Sequence, residues 1–421
     1  MISKKILSAF VAGAVAVTAF SGALPNIVSE VGQYVQVSAE EVSTDTSGTC
    51  GENLTWELDS EGTLIISGSG DMENFEWNGS PFYKRTDITK LIISGGVTGI
   101  GSNAFSECTG LTSATISDNV TSIGESAFAL SANLTSINIP NSVTSIGTWA
   151  FYRCSGLKSV TIPGSVTMLD SHLFADCTNL TSVTIGNGVK ILELGAFSNC
   201  KGLTSITIPD SVTAIGSEAF LGCTGLTSVT IPDSVTSIGR EAFSGCIVLE
   251  NVIIPDSVNN INWSVFDGCS SLKSIIIPAS VKYIDDGAFK NCSGLTDITI
   301  ENPECFISDF SYTISNERNE ETNTAYFNGT IHGGANSTAQ AYAEKYGYKF
   351  EAIDGENNTA ETIWGDANGD GKLTVTDAVF IAKALAQKKG DTLPECADFN
   401  NDGKKNVLDA LAIAKKLASR K

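Results

Sequence analysis

Apolar side chains return every 23 residues through the middle of the chain, without one insertion. Phenylalanine stands at Phe105, Phe128, Phe151, Phe174, Phe197, Phe220, Phe243, Phe266 and Phe289. Leucine keeps step at Leu111, Leu134, Leu157, Leu180, Leu203, Leu226, Leu249, Leu272 and Leu295. A fixed period of this length marks a stacked repeat. One unit, LTSITIPDSVTAIGSEAFLGCTG from Leu203, gives the elements. Its L-x-x-I-x-I opening alternates apolar and polar positions, which predicts a short strand that Pro209 ends. Val212, Ile215, Ala219, Phe220 and Cys223 are the apolar positions of a return segment. So short a unit cannot bury an apolar face alone, so neighbours must stack, with equivalent strands pairing in parallel about 4.7–4.9 Å apart. The predicted fold class is a repeat solenoid of short parallel β-strands.

Outward strand positions are mainly Thr and Ser, such as Thr204, Ser205 and Thr207, with acids at Glu250 and Asp297. Such positions are what a one-sided, solvated sheet shows. Asp210, Asp233 and Asp256 recur at one place after the proline, as turn residues do. A glycosidase needs two carboxylates flanking a groove, and no catalytic constellation is recognised. Trp149, Tyr152, His172 and Trp263 break the repeat consensus. They form the candidate ligand patch, since exposed aromatics are common contact anchors; the other reading is that they fill rungs where side-chain spacing varies.

Eleven cysteines would ordinarily suggest a disulfide framework in an exported chain. Their spacing points elsewhere. Cys154, Cys177, Cys200, Cys223, Cys246, Cys269 and Cys292 follow the same period, Cys108 belongs to the series upstream, and Ser131 fills the missing place. The expectation is a column of free thiols buried inside the coil. Zinc would need convergent ligands in tetrahedral array, which a single file of thiols with only His172 and His332 in the chain does not supply.

Composition changes the picture in two ways. With 47 acidic against 26 basic side chains and a net charge of −21, the chain should repel nucleic-acid phosphates and anionic membranes. At the N-terminus, Lys4 and Lys5 precede an apolar run from Ile6 to Phe20 and then small residues, which reads as an export signal. Cleavage fits after Ala23 or after Ala39; the later site, giving a signal over residues 1–39, is preferred because acidic, folded-looking sequence starts there. No later run is long and apolar enough to predict a membrane span, so the mature protein is expected outside the cell.

The pattern LTSVTIPDSVTSIGREAFSGC from Leu226 resembles the BspA-like leucine-rich repeats of bacterial surface proteins, over roughly residues 91–300. That resemblance implies binding or adhesion and no shared catalytic residue. Flanking segments read as caps. Residues 47–90, including CGENLTWELDSEGTLIISGSG from Cys50, predict an N-terminal hairpin. Residues 301–353, with STAQAYAEKYGYKFEAI from Ser337, predict a C-terminal cap with a helix followed by a strand. DGENNTAETI, residues 354–363, is polar and apolar-poor, as a linker is.

Beyond the linker, residues 364–421 hold two related loops, GDANGDGKLTVTD and ADFNNDGKKNVLD, offset by 32 residues. The first places Asp366, Asn368 and Asp370 at positions 1, 3 and 5, Gly371 at 6, the Lys372 carbonyl at 7, Thr374 at 9 and Asp377 at 12. The second repeats this with Asp398, Asn400, Asp402, Gly403, Lys404, Asn406 and Asp409. These are the hard oxygen ligands that calcium takes, with glycine allowing the sharp turn, so two calcium ions are expected. One such match could be a surface turn; two, each leading into similar helices DAVFIAKALA and DALAIAKKLA, argue for a paired site.

Asp rather than Glu at position 12, and no helix pattern ahead of each loop, make the segment resemble a type I dockerin, a small α-helical module with paired F/EF-hand-like calcium loops. The resemblance implies calcium-dependent docking into cohesin domains of scaffolding proteins in polysaccharide-degrading, cellulosome-type complexes. It also implies a partner surface at Val375, Thr376 and Lys383 in one half and at Val407, Leu408 and Lys415 in the other. Lys405 stands where an apolar residue is expected, while Leu373 is regular. The expected protein is a secreted noncatalytic component, placed at the cell surface through its scaffold, whose array binds an unknown protein or glycan. Alternatives from other classes are an enzyme with an unrecognised active site in the caps or on the concave face, and a surface adhesin.

Overall fold

The computed structural model describes residues 42–318, 322, 324–353, 367, 375–386, 397, 405, 410 and 413. Residues 1–41, with the export signal read from the sequence, and the linker 354–363 lie outside them. The chain begins its fold with antiparallel strands Ser47–Gly51, Leu54–Leu58 and Thr63–Gly68. The third then pairs in parallel with Lys90–Ile93, and pairing stays parallel through the array. Its register is that of the repeat, as in Ser159↔Ser182, Val160↔Val183 and Ile162↔Ile185. The parallel solenoid anticipated from the 23-residue period is therefore the observed fold.

The coils also carry a second, shorter strand, of two residues in all but the Val97–Ile100 case, that the apolar pattern did not single out. Met168–Leu169, Ile191–Leu192, Ala214–Ile215 and Ser237–Ile238 form one such parallel ladder. Between it and the next long strand runs the Phe–Cys segment, built of turns. There the amides of Glu218, Phe220 and Gly222 donate to the carbonyls of Arg240, Ala242 and Ser244 on the following coil, each at 2.8 Å. Satisfying these amides across coils removes the need for a helix. Two positions of this segment have φ near +55° in coil after coil, as at Trp149, His172, Glu218 and Glu241, and at Arg153, Asp176 and Asn199. That left-handed geometry is unfavourable for a side chain with a Cβ, and the inter-coil hydrogen bonds hold it.

The core is one continuous column. The phenylalanine series extends upstream to Phe82, and successive rings from Phe82 to Phe289 lie 5.1–5.7 Å apart and within 21° of parallel. Trp56 closes the N-terminal end edge-on to Phe82, at 5.2 Å and 77°. Beside it the buried Arg85 takes the place a repeat cysteine would hold, and Asp87 clasps its guanidinium through two 2.7 Å contacts. At the other end, helix α1 (Thr338–Tyr346) is capped by Ser337, whose side chain accepts from the Gln340 amide, and stops at Gly347 with φ 72°. Strand Lys349–Ala352 then pairs with Thr330–Gly333, which extends the main sheet.

The ten cysteines among the described residues are buried and unbridged. From Cys154 to Cys292 each repeat thiol donates to the carbonyl of a phenylalanine on the preceding coil, at 3.1–3.3 Å, as Cys200 does to Phe174 and Cys223 to Phe197. Ser131 replaces the thiol without loss because its hydroxyl donates to Phe105 O at 2.8 Å. Burial pushes the thiols of Cys154 and Cys223 up to about 12 and those of Cys177, Cys200, Cys246 and Cys269 well above their ordinary value. Thiolate, the reactive form, is therefore scarce at pH 8. Native protein is expected to leave the repeat cysteines unlabelled by a thiol reagent that modifies all of them in denaturant. Rapid native labelling of most of them would contradict this packing.

Candidate functional site

On the array, the aromatic residues that break the consensus do not form one patch. Trp149 and His172 occupy the same left-handed position on adjacent coils, with ring centroids 6.1 Å apart at 37°. His172 lies over Gly195, where a Cβ would come within 2.8 Å of its Cδ2. Its buried Nδ1 has no hydrogen-bond partner among the described residues. Tyr152 belongs to the same coil as Trp149, and the Arg153 guanidinium sits 5.0 Å from its ring centroid while also pairing with Asp176 at 3.1 Å. Trp263 precedes Ser264, the left-handed position five coils further on. Five rungs at about 4.8 Å put it roughly 24 Å from Trp149.

The strand face carries hydroxyls in register, Ser205↔Ser228 and Thr207↔Thr230 among them. A shallow concavity of about 340 Å³ lies on this face over three strands, lined by Ser113, Thr115, Ser136, Asn138, Ser159 and Thr161 with the edges of apolar side chains. Other threonines are structural: Thr135, Thr181 and Thr227 each donate to a carbonyl of the preceding coil. Asp210, Asp233 and Asp256 are exposed on separate coils, as turn residues.

The sequence reading missed a second aromatic feature. Tyr283 and Phe306 face each other in register on the short-strand ladder, with centroids 6.1 Å apart. They are the most exposed large apolar side chains described, at 54% and 56%. The signal was available, because Ser237 and Asn260 hold the same place on the two preceding coils.

Of the twelve calcium-ligand candidates, only Asp377 is described. It lies in the first turn of helix α2 (Val375–Ala386) and is fully buried. Negative charge is favoured at a helix start, and a buried carboxylate needs strong compensation. A coordinated divalent cation suits that donor. Asp366, Asn368, Asp370, Lys372, Thr374, Asp398, Asn400, Asp402, Lys404, Asn406 and Asp409 lie outside the described residues.

Ala378, the residue after Asp377, belongs to a small apolar cluster with Ala367, Ile381, Ala397, Ala410 and Ile413. Ala410 and Ile413 are the counterparts of Ala378 and Ile381 32 residues on, and all four belong to this one cluster, so equivalent positions of the two halves share a core. The partner-surface candidates Val375, Thr376 and Lys383 lie on α2, whereas Val407, Leu408 and Lys415 fall outside the described residues. Lys383 Nζ is 3.0 Å from Asp233 Oδ1. Both side chains are half-exposed, and a pair of that kind contributes at most about 1 kcal/mol, so a partner can displace it.

A repeating β-solenoid followed by a small module with two D-x-N-x-D-G runs is the class these features define. The comparisons agree. Two stretches, residues 78–204 and 191–317, match the BspA type leucine rich repeat region, and residues 364–418 match the dockerin type I domain. The chain belongs to the BspA-type leucine-rich repeat proteins and carries a C-terminal type I dockerin. Dockerins of this type generally bind calcium and partner cohesins.

No curated protein sequence matches the chain. Among solved structures, a leucine rich cell surface protein from Faecalibacterium prausnitzii is 26% identical, covers 75% of this chain and 100% of its own, and has a TM-score of 0.37. A leucine-rich repeat protein from Eubacterium ventriosum is 21% identical, covers 76% of this chain and 98% of its own, and has a TM-score of 0.42. Among the described residues no helix is long and apolar enough to cross a membrane.

Proposed function

We propose that this protein is an exported, noncatalytic component of a scaffold-borne, polysaccharide-degrading complex. Its array presents a binding surface for a protein or glycan, and its dockerin mounts that surface on a cohesin. The observation that carries the reading is the coupling of a repeat solenoid to two D-x-N-x-D-G runs, each followed by nearly the same sequence, DAVFIAKALA and DALAIAKKLA.

Two calcium ions, one per loop, are held by Asp366, Asn368, Asp370, the Lys372 carbonyl, Thr374 and Asp377, and by Asp398, Asn400, Asp402, the Lys404 carbonyl, Asn406 and Asp409. Those ions close the loops and fix the helices that follow. Val375, Thr376 and Lys383 in one half, and Val407, Leu408 and Lys415 in the other, form two near-copies of the cohesin-facing surface. Internal twofold symmetry lets the module dock in either of two orientations.

Calorimetric titration of the full chain with a panel of cohesins tests the reading. Binding in calcium that disappears with chelator is the expected result. Failure to bind any cohesin, or binding indifferent to chelation, would remove the basis for it.

A further inference from the structure

The short-strand ladder changes character near its C-terminal end. Its outward position is small or polar at Ser122, Ser145, Ala214, Ser237 and Asn260, and aliphatic at Met168 and Ile191. At the last two coils it is Tyr283 and Phe306. Their strand neighbours Ile284 and Ile307 are buried and do the packing. The coil therefore folds without an aromatic ring at this position, and two successive exposed rings are surplus to the architecture. Exposed apolar surface concentrated in this way marks a contact site.

We infer that Tyr283 and Phe306 form a stacking platform for a neutral polysaccharide chain running along the solenoid axis. This rests on the reading of the array as a binding surface and names the class of ligand. Three observations select it. Both rings are more than half exposed, so a ligand can reach them directly from solvent. Exposed rings suit the apolar C–H face of a sugar, which lies flat on an aromatic ring while its hydroxyls stay in water.

The rings also come one per rung, 6.1 Å apart and tilted by 52°, so a polymer following the axis meets a ring with each successive unit, and the tilt suits a twisted chain. Finally, the surroundings oppose an anionic chain. Asp285 and Glu304 flank the rings and Lys282 is the adjacent cation, within a protein of net charge −21. Asn259 and Asn260, exposed on the preceding coil, supply amides for neutral hydroxyls.

Affinity electrophoresis of the full chain in gels containing xyloglucan, mixed-linkage β-glucan, xylan or galactomannan tests this, with polygalacturonate as the anionic control. Wild type is expected to be retarded by at least one neutral polymer and not by polygalacturonate. Tyr283→Ala and Phe306→Ala should each weaken binding about 3- to 10-fold, the range of one aromatic contact. The double variant should migrate as in a blank gel, while Tyr283→Phe retains binding. Unchanged thermal unfolding of the double variant shows that the loss is local.

Retardation of the double variant equal to wild type, or no retardation of wild type by any neutral polymer, overturns the inference. The same chain is run against immobilised extracellular proteins and cohesins. Capture by an extracellular protein other than cohesin without glycan binding sinks the platform alone, and capture by cohesin only, or by nothing, sinks the reading of the array as a binding surface.

Discussion

Phe197→Ala should cost the array about 3–5 kcal/mol, the penalty for removing a buried aromatic ring from a close-packed site. The ring is fully buried and lies between Phe174 at 5.7 Å and Phe220 at 5.6 Å, within 8° of parallel to both. Its removal leaves a cavity that the neighbours cannot fill, because each is fixed by its own partner further along the column. In a solenoid the energetic unit is the coil and its two interfaces, so one lost ring weakens both interfaces at once. Denaturant titration followed by circular dichroism measures the loss, with Phe306→Ala, an exposed ring, expected to be nearly neutral for stability. A loss below about 1 kcal/mol for Phe197→Ala would show that the column contributes little.

Much of this architecture was legible because stacking enforces identity between coils. The L-x-x-I-x-I alternation and the uninterrupted phenylalanine series announced parallel pairing, and the register Ser159↔Ser182 is that period made physical. Helix α1 was legible from the alanine-rich run after Ser337, whose side chain caps it. What the pattern could not express is backbone sign and long-range partnership. The left-handed turns at Trp149 and Glu218 carry side chains that would not ordinarily suggest positive φ. The thiol-to-carbonyl bonds join residues 26 positions apart, and Ser131 looked like a gap in a cysteine series until its hydroxyl was seen to make the same bond.

The functional surface was legible only in part. Choosing aromatic residues that break the consensus found Trp149 and His172, which do meet, but added Trp263, which the solenoid carries five coils away. The same rule overlooked Tyr283 and Phe306, because VKYIDDGAF preserves the apolar frame of the repeat and hides a ring at a position that usually holds a small or polar side chain. The calcium loops were read from ligand spacing alone, and the structure adds the burial of Asp377. An aspartate read from sequence defaults to the surface; here it is fully buried, next in sequence to Ala378 of the module's small apolar cluster.

Asp370→Ala combined with Asp402→Ala should unfold the dockerin in the presence of calcium and abolish cohesin binding. Each substitution removes the acid at position 5 of a different loop, so on the proposed ligand scheme neither half should hold its ion. The module's sequence has few apolar residues beyond Leu373, Val379, Phe380, Ile381, Leu385, Leu411, Ile413 and Leu417, and the core among its described residues is four alanines and two isoleucines, with Ala384 and Leu385 packed against it. In a core that slight, the free energy of metal binding is a large part of the free energy of folding. Circular dichroism and calcium titration of the full chain provide the measurement. The double variant should lose the helical signal of the module and its calcium heat, as wild type does in excess chelator, while the unfolding transition of the array stays where it was. Each single variant should retain one calcium site and part of the cohesin affinity, because the halves are near-copies. A double variant that still binds calcium with two-site stoichiometry would show that the position-5 aspartates are not the ligands the spacing makes them.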